Sequence, residues 1–239
     1  MSDKIYQDIV ESDGKSILVN ALAGSGKTTL LTKRIKYRLE KGLVKEDELM
    51  VCTFTRDAAS DLRHRTGIKF GVVGTIHSIV LGLLRDSGEK IVIVDDVKKK
   101  GIIFELMKKY RCKSKYFPEI FGSSSFEKNV NLNYYKDVIN DYFDDKKNQI
   151  YQIKYEYEKY KNTHSMLDFG DMCLKMYWKL KLNPEYLDSI QERFKEIYLD
   201  EAQDCSPVQI ETIMLIADKY KRIFAVGDKK QKIYTFITG

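Results

Sequence analysis

The stretch Ala21-Leu-Ala-Gly-Ser-Gly-Lys-Thr28 limits what this chain can fold into more than any other part of it. It follows a short apolar run, Ser16-Ile-Leu-Val-Asn20. It opens a segment from Lys27 to Glu40 in which Leu30, Leu31, Ile35 and Leu39 recur at helical spacing. Strand, glycine-rich loop and helix in that order read as a Walker A phosphate loop, with Ala21 where the strict pattern begins with glycine. Gly24 and Gly26 allow backbone angles that a Cβ would crowd. Backbone N–H groups can then surround phosphates, and the positive end of the helix dipole faces them. Ala23, Gly24, Ser25, Gly26, Lys27, Thr28 and Thr29 are therefore the candidate nucleotide-binding residues. Lys27 is expected to reach the β- and γ-phosphates, and the Thr28 hydroxyl to ligate Mg²⁺, so the expected cofactors are ATP and Mg²⁺.

A second strong signal is Ile197-Tyr-Leu-Asp-Glu-Ala-Gln-Asp204, an apolar strand ending in acids. A carboxylate at a strand tip can hold the hydration shell of Mg²⁺, and its neighbour can orient and deprotonate an attacking water. These roles fall to Asp200 and Glu201. Gln203 and Asp204 lie just beyond, facing either the γ-phosphate or the next element. Further strands are predicted at Leu49–Thr53, Gly71–Gly74 and Arg222–Val226, and further helices at Arg56–Arg65, from His77, and at Pro207–Tyr220. Strands alternating with helices predict a parallel α/β sheet with helices on both faces.

Composition bounds the rest. In 239 residues, 43% are hydrophobic and 32% charged, which fits a globular chain large enough for a real core. No apolar run is long enough to span a bilayer, and Met-Ser-Asp-Lys-Ile at the start has no apolar signal core, so no membrane partner and an intracellular location are expected. Cys52, Cys112, Cys173 and Cys205 form no CxxC pair, and free thiols are expected. The net charge of +6 resides in one region: residues 98–161 hold 15 Lys and Arg against 9 Asp and Glu, and the remainder is balanced. That region is rich in Lys, Tyr, Phe and Asn and reads as a helical insertion with a loop at Gly122-Ser-Ser-Ser125. Its basic character suits a polyanion, or else lysine-rich helices that simply solvate themselves.

These residues together resemble the N-terminal part of a UvrD/Rep-type superfamily 1 DNA helicase. The resemblance rests on Ala23-Gly-Ser-Gly-Lys-Thr28, Thr53-Phe-Thr-Arg-Asp-Ala-Ala59 with Arg65, Gly74-Thr-Ile-His-Ser78, Asp200-Glu-Ala-Gln-Asp204 and Val226-Gly-Asp-Lys-Lys-Gln-Lys-Ile-Tyr234, in the family's order. Asp168-Phe-Gly-Asp-Met172 resembles a further short motif. The resemblance implies a RecA-like P-loop domain, with residues 1–92 and 165–239 as its two parts and 93–164 as an all-helical basic insertion. It implies that Gln7 reads adenine and that Gln231 senses the γ-phosphate. It places Thr53, Phe54, Thr55, Thr75 and His77 on a single strand of DNA, and Tyr234 and Phe236 where bases stack. The spacing of two between those aromatics suits strand core residues equally well. Arg56-Asp57 stands where the family has Asn-Lys, Ile76 where it has an aromatic, and Ile-Thr-Gly after Phe236 where it has Arg-Gly-Ala.

The implied activity is Mg²⁺–ATP hydrolysis coupled to translocation, 3′ to 5′, on single-stranded DNA and unwinding at a duplex junction. The family's second motor domain, which supplies arginines across the ATP cleft, has no counterpart among these residues. The expectation is therefore a chain that by itself binds Mg²⁺–ATP and hydrolyses it poorly, with the second domain or a partner subunit needed for motion. Two other readings stay open: a non-motor DNA-binding regulator that uses ATP as a switch, and a small-molecule P-loop phosphotransferase. The Gln203 and Gln231 motifs and Thr53-Phe-Thr55 speak against the second.

Overall fold

The computed structural model describes residues 3–22, 24–116 and 145–228. They form two compact units, one of residues 1–79 and 177–239 and one of residues 80–176. The expected insertion, 93–164, lies inside the second unit.

The first unit is built on a five-stranded parallel sheet of order β1-β7-β6-β2-β3. Its strands are β1 (Ser16–Asn20), β2 (Leu49–Thr53), β3 (Val72–Thr75), β6 (Glu196–Leu199) and β7 (Ile223–Gly227). Every residue of β2, β6 and β7 is buried, as expected where helices cover both faces and the strands read as continuous apolar runs. Around the sheet run helices α1 (Asp3–Glu11), α2 (Lys27–Glu40), α3 (Arg56–Thr66), the start of α4 (Ile76–Asp86), α8 (Pro184–Arg193) and α9 (Pro207–Ala217). Leu30, Leu31 and Ile35 of α2 pack with Val19, Val51, Leu62, Tyr198, Phe224 and Val226 in one core, which Tyr6, Ile9 and Val10 of α1 extend.

The strand ends differ slightly from the sequence reading, each for a local reason. The third strand runs 72–75 rather than 71–74; a side chain at Gly71 would meet the Glu46 carbonyl oxygen at 2.6 Å, so this residue belongs to the entering turn. The acidic strand stops at Leu199. Asp200 keeps one bond to β2, its N–H donating to the Cys52 carbonyl at 2.9 Å, and Glu201 then turns away in the left-handed region (φ 50°). Helix α9 ends at Ala217 rather than Tyr220, because Lys221 adopts φ 54° and donates back to the Ala217 carbonyl at 2.7 Å.

Helix α1 was not foreseen. It is tied down by Arg34 of α2, a buried cation whose guanidinium donates to the carbonyls of Ile9 at 2.7 Å and Val10 at 3.1 Å and lies over the Phe224 ring. A cation satisfying the last carbonyls of a helix also complements its dipole.

The second unit contains the rest of α4, helix α5 (Asp96–Lys109), helix α6 (Asp145–Thr163) and the start of α7 (Phe169–Leu182). Ile103, Met107, Ile153 and Tyr157 form the core between α5 and α6. The unit is not wholly helical: β4 (Val92–Ile93) and β5 (Met166–Leu167) pair in parallel, and the Val94 N–H donates to the Leu167 carbonyl at 2.8 Å. Two-residue strands carry too little periodicity to read from sequence. The loop expected at 122–125 lies outside the described residues. Among the described residues no helix is long and apolar enough to cross a membrane. The four cysteines are free thiols.

Candidate nucleotide and nucleic-acid site

Because all five strands are parallel, their carboxyl ends share one edge, and the phosphate loop, the turns after Thr53 and Thr75 and the acidic turn leave the sheet there. The phosphate loop follows β1, whose Asn20 is paired with Gly227; the Ala21 N–H donates to the Gly227 carbonyl at 3.0 Å. Thr53 ends β2, Thr75 ends β3, and Asp200 follows β6. Ligand sites of open α/β sheets lie outside this edge.

Gly24 (φ 76°) and Gly26 (φ 85°) both occupy the left-handed region, and Gly26 caps α2. The bend leaves Gly24, Ser25, Gly26 and Thr29 exposed, while Lys27 is buried at the first position of α2. Ala23 lies outside the described residues. The Thr28 hydroxyl donates to Asp200 Oδ2 at 3.0 Å. Lys27 Nζ donates to the Ala21 carbonyl at 3.4 Å and lies 3.7 Å from Glu201 Oε2. Residues 172 positions apart thus meet across β7, which separates β1 from β6.

The acidic turn is held from several sides. The Glu201 N–H donates to Asp200 Oδ1 at 3.1 Å, and Gln203 Nε2 donates to Glu201 Oε2 at 2.6 Å. The other end of the Gln203 amide accepts from the Asp228 N–H at 3.0 Å, which leads into the segment containing Gln231. Asp200 is nearly inaccessible, and burial raises its carboxyl pKa, partly offset by the Thr28 hydrogen bond. A buried acid held at the tip of a strand beside a phosphate loop is costly to ionise unless a cation shares its site. The Thr28 hydroxyl and Asp200 carboxylate form a hard oxygen pair of the kind that suits Mg²⁺. The residues present fit that ion.

Gln7 is exposed on α1, and its amide donates to the Glu11 carboxylate one turn later. Its neighbour Tyr6 instead faces the loop, lining a small pocket with Val19, Ala21, Ser25, Gly26, Lys27 and Leu30. Tyr6, Ile9 and Val10 share one helical face, a spacing that could have marked Tyr6 in advance.

The expected DNA-contact residues divide by exposure. Thr53 is buried and its hydroxyl donates to the Thr55 carbonyl at 2.9 Å, so it shapes the turn rather than presenting its side chain. Phe54 is 61% exposed. Thr55 caps α3, accepting from the Ala58 N–H at 3.1 Å. Thr75 accepts from the Ser78 N–H at 3.2 Å, and the Ser78 hydroxyl donates to the Thr75 carbonyl at 2.8 Å. His77 is half-buried, and burial pushes its imidazole below the ordinary histidine range. Its Nε2 lies 3.3 Å from Gln209 Nε2. Gln209, on α9, was not singled out from the sequence; the spacing Ser206-Pro-Val-Gln209 marks a helix start, but not a contact with His77. Gln231, Tyr234 and Phe236 lie outside the described residues.

In the second unit, the Asp168–Asp171 motif caps α7: the Asp171 N–H donates to Asp168 Oδ1 at 3.0 Å, and the Asp168 N–H to Asp171 Oδ2 at 2.8 Å. Both carboxylates also bind Lys161, at 3.0 and 2.6 Å, and the Tyr157 hydroxyl donates to Asp168 at 3.2 Å. These acids hold α6 to α7.

A phosphate loop meeting two carboxylates across the carboxyl edge of a parallel sheet defines this protein as a RecA-like P-loop nucleotide-binding domain interrupted by an insertion. Residues 2–239 match the family model for the UvrD/REP helicase N-terminal domain, and the chain belongs to that family. The ATP-dependent DNA helicase PcrA of Staphylococcus epidermidis is 31% identical over 232 residues, covering 91% of this chain and 32% of that protein. The PcrA of Staphylococcus aureus is 30% identical over 241 residues, covering 95% and 33%. The chain therefore spans about a third of the length of the curated relatives it matches.

Proposed function

We propose that this chain is the ATP-binding part of a DNA helicase, coupling Mg²⁺–ATP hydrolysis to 3′-to-5′ translocation on single-stranded DNA and to unwinding at a duplex junction. The reading is carried by one observation: Thr28 lies 3.0 Å from Asp200 while Lys27 lies 3.7 Å from Glu201. The loop that would hold the triphosphate and the acids that would act on it are within reach of a single ligand.

Mg²⁺, if bound beside Thr28 and Asp200, would supply positive charge to offset that of the transferring phosphoryl group. Thr28 and Asp200, joined by a hydrogen bond at 3.0 Å, are the residues that would hold it. Lys27 offsets charge on the β- and γ-phosphates. Glu201 orients the attacking water and takes its proton, a role supported by its partial exposure beside the buried Asp200. Gln203 steadies Glu201 and passes its position to Asp228, and Gln231 senses the γ-phosphate. Gln7, with Tyr6 beside it, takes the base end of the nucleotide. Phe54 and Thr55, the Thr75–His77 turn, and Tyr234 and Phe236 grip DNA, with aromatic faces that accept any base.

These 239 residues by themselves bind Mg²⁺–ATP but turn it over slowly. In comparable phosphoryl-transfer systems an arginine reaching across the cleft contributes ~10³–10⁵ in rate, and the resemblance places such arginines on a second motor domain. The test is titration with a fluorescent ATP analogue, followed by ATPase assays with and without single-stranded DNA. Micromolar Mg²⁺-dependent binding that is lost in Lys27→Ala is expected, with little DNA-stimulated turnover. Undiminished nucleotide binding by Lys27→Ala would overturn the assignment of the site, and rapid stimulated turnover by the isolated chain would overturn the need for a second domain.

A further inference from the structure

We propose that Gln209 is a positioning residue that ties the His77 turn to the acidic turn after β6, so that nucleotide and single-stranded DNA are felt by one another through this side chain. The inference rests on the reading that the Thr75–His77 turn grips DNA.

Gln209 is 8% exposed and uses both ends of its amide. Its Oε1 accepts from the Ser206 N–H at 2.8 Å, closing a capping box at the start of α9. Its Nε2 faces His77 Nε2 at 3.3 Å, linking positions 132 apart in sequence. Burial favours the neutral imidazole, whose unprotonated nitrogen can accept from the glutamine amide.

Each end of this contact is stiff. On the nucleotide side, Glu201 and Ser206 are joined by a tight 3₁₀ turn, in which the Asp204 N–H donates to the Glu201 carbonyl at 3.0 Å and the Cys205 N–H to the Ala202 carbonyl at 3.3 Å. A shift of Glu201 is therefore carried to Ser206 and the first turn of α9. On the other side, Thr75 and Ser78 bond reciprocally, so His77 moves with the strand end and the first turn of α4. Gly74 permits this: a Cβ there would meet Ser78 Oγ at 2.7 Å. Besides its contacts with the phosphate loop and β2, the acidic turn has two further connections that matter here. One runs through Gln203 to Asp228, and the other runs through Gln209 to His77.

Linkage makes the coupling measurable in binding alone. The test uses the 239-residue chain, a fluorescent oligo-dT, and a non-hydrolysable ATP analogue with Mg²⁺. The readout is the ratio of oligo-dT dissociation constants without and with the analogue. In the unaltered chain the ratio should differ from one by about 5-fold or more. Gln209→Met should bring it close to one without weakening analogue binding. His77→Leu should also bring the ratio close to one, with oligo-dT binding itself weaker because that turn is placed on DNA, and the double variant should change the ratio no further, since both changes remove one contact. Ser206→Ala, which damages the same helix cap but leaves the Gln209–His77 contact, should keep the original ratio. A folded Gln209→Met or His77→Leu that retains the ratio overturns the inference, as does a Ser206→Ala that loses it. If the unaltered chain binds both ligands with no mutual effect, the coupling role fails while the proposed function stands. If it binds neither, the functional reading fails as well.

Discussion

At the scale of single residues, Asp200 shows how a site is built at the expense of the fold around it. Its carboxyl pKa is raised chiefly by burial. An acid whose folded pKa lies above its unfolded value contributes stability that is complete below the unfolded pKa and is lost as pH rises through the folded one. At neutral pH the charged carboxylate therefore works against folding, and Asp200→Asn removes that term while keeping an oxygen for the Thr28 hydroxyl. The variant should melt above the unaltered chain at pH 7. The gap should shrink as pH falls toward about 4, where carboxyls protonate in both states. The same change should weaken Mg²⁺-dependent nucleotide binding by ~10–100-fold, the usual effect of losing an outer-shell metal partner. Thermal melts across pH, beside nucleotide titrations, check both halves. A variant that melts lower at pH 7 would show that Asp200 serves the fold rather than the site.

At the scale of elements, two junctions hold motif residues by close contact. The turn from β3 into α4 works only if position 74 has no side chain, because Ser78 Oγ occupies the space a Cβ would take. Gly74→Ala should cost ~1–3 kcal/mol through overpacking, and adding Ser78→Ala should recover part of it. Urea midpoints of the two variants test this, and a Gly74→Ala chain of unchanged midpoint would refute it. The second junction is Lys161 with Asp168 and Asp171, where all three side chains are buried or nearly so. Removing one member of a buried ion pair leaves uncompensated charge, so Lys161→Met should cost ~3 kcal/mol or more. Equilibrium unfolding followed by the circular dichroism of the helices would reveal it. A loss under 1 kcal/mol, the ordinary worth of an exposed pair, would mean that the cluster is not a structural tie.

At the scale of the whole molecule, the charge distribution makes its own prediction. The basic excess lies within residues 98–161, and Lys108, Lys113 and Lys115 are exposed at and after the end of α5. Lys109 is exposed as well and lies 3.7 Å from Glu156 of α6. If this surface meets a DNA backbone, replacing Lys108, Lys109, Lys113 and Lys115 with Gln should flatten the slope of log affinity against log salt by up to ~3, at ~0.7 per phosphate contact on a single strand. Fluorescence anisotropy from low to moderate salt measures the slope. An unchanged slope would assign the lysines to solvation alone.

The sequence by itself determined the class of fold and the family. Glycines with a lysine and a threonine between a strand and a helix suit a phosphate cradle, and acids closing a buried strand suit a cation, because both patterns are local in the chain. Continuous apolar runs revealed the central strands because a sheet covered on both faces leaves no polar alternation to confuse the period. Only the tertiary structure could decide what depends on contacts between distant residues. Arg34 anchors α1, Tyr6 rather than Gln7 faces the loop, Lys161 binds both acids of the 168–171 motif, and Gln209 reaches His77. Lys161 stands 7 and 10 residues from its acids, and the other partners stand much further apart in the chain. A side chain's residue type states which bonds it can form, but its neighbours in space decide which bonds it makes.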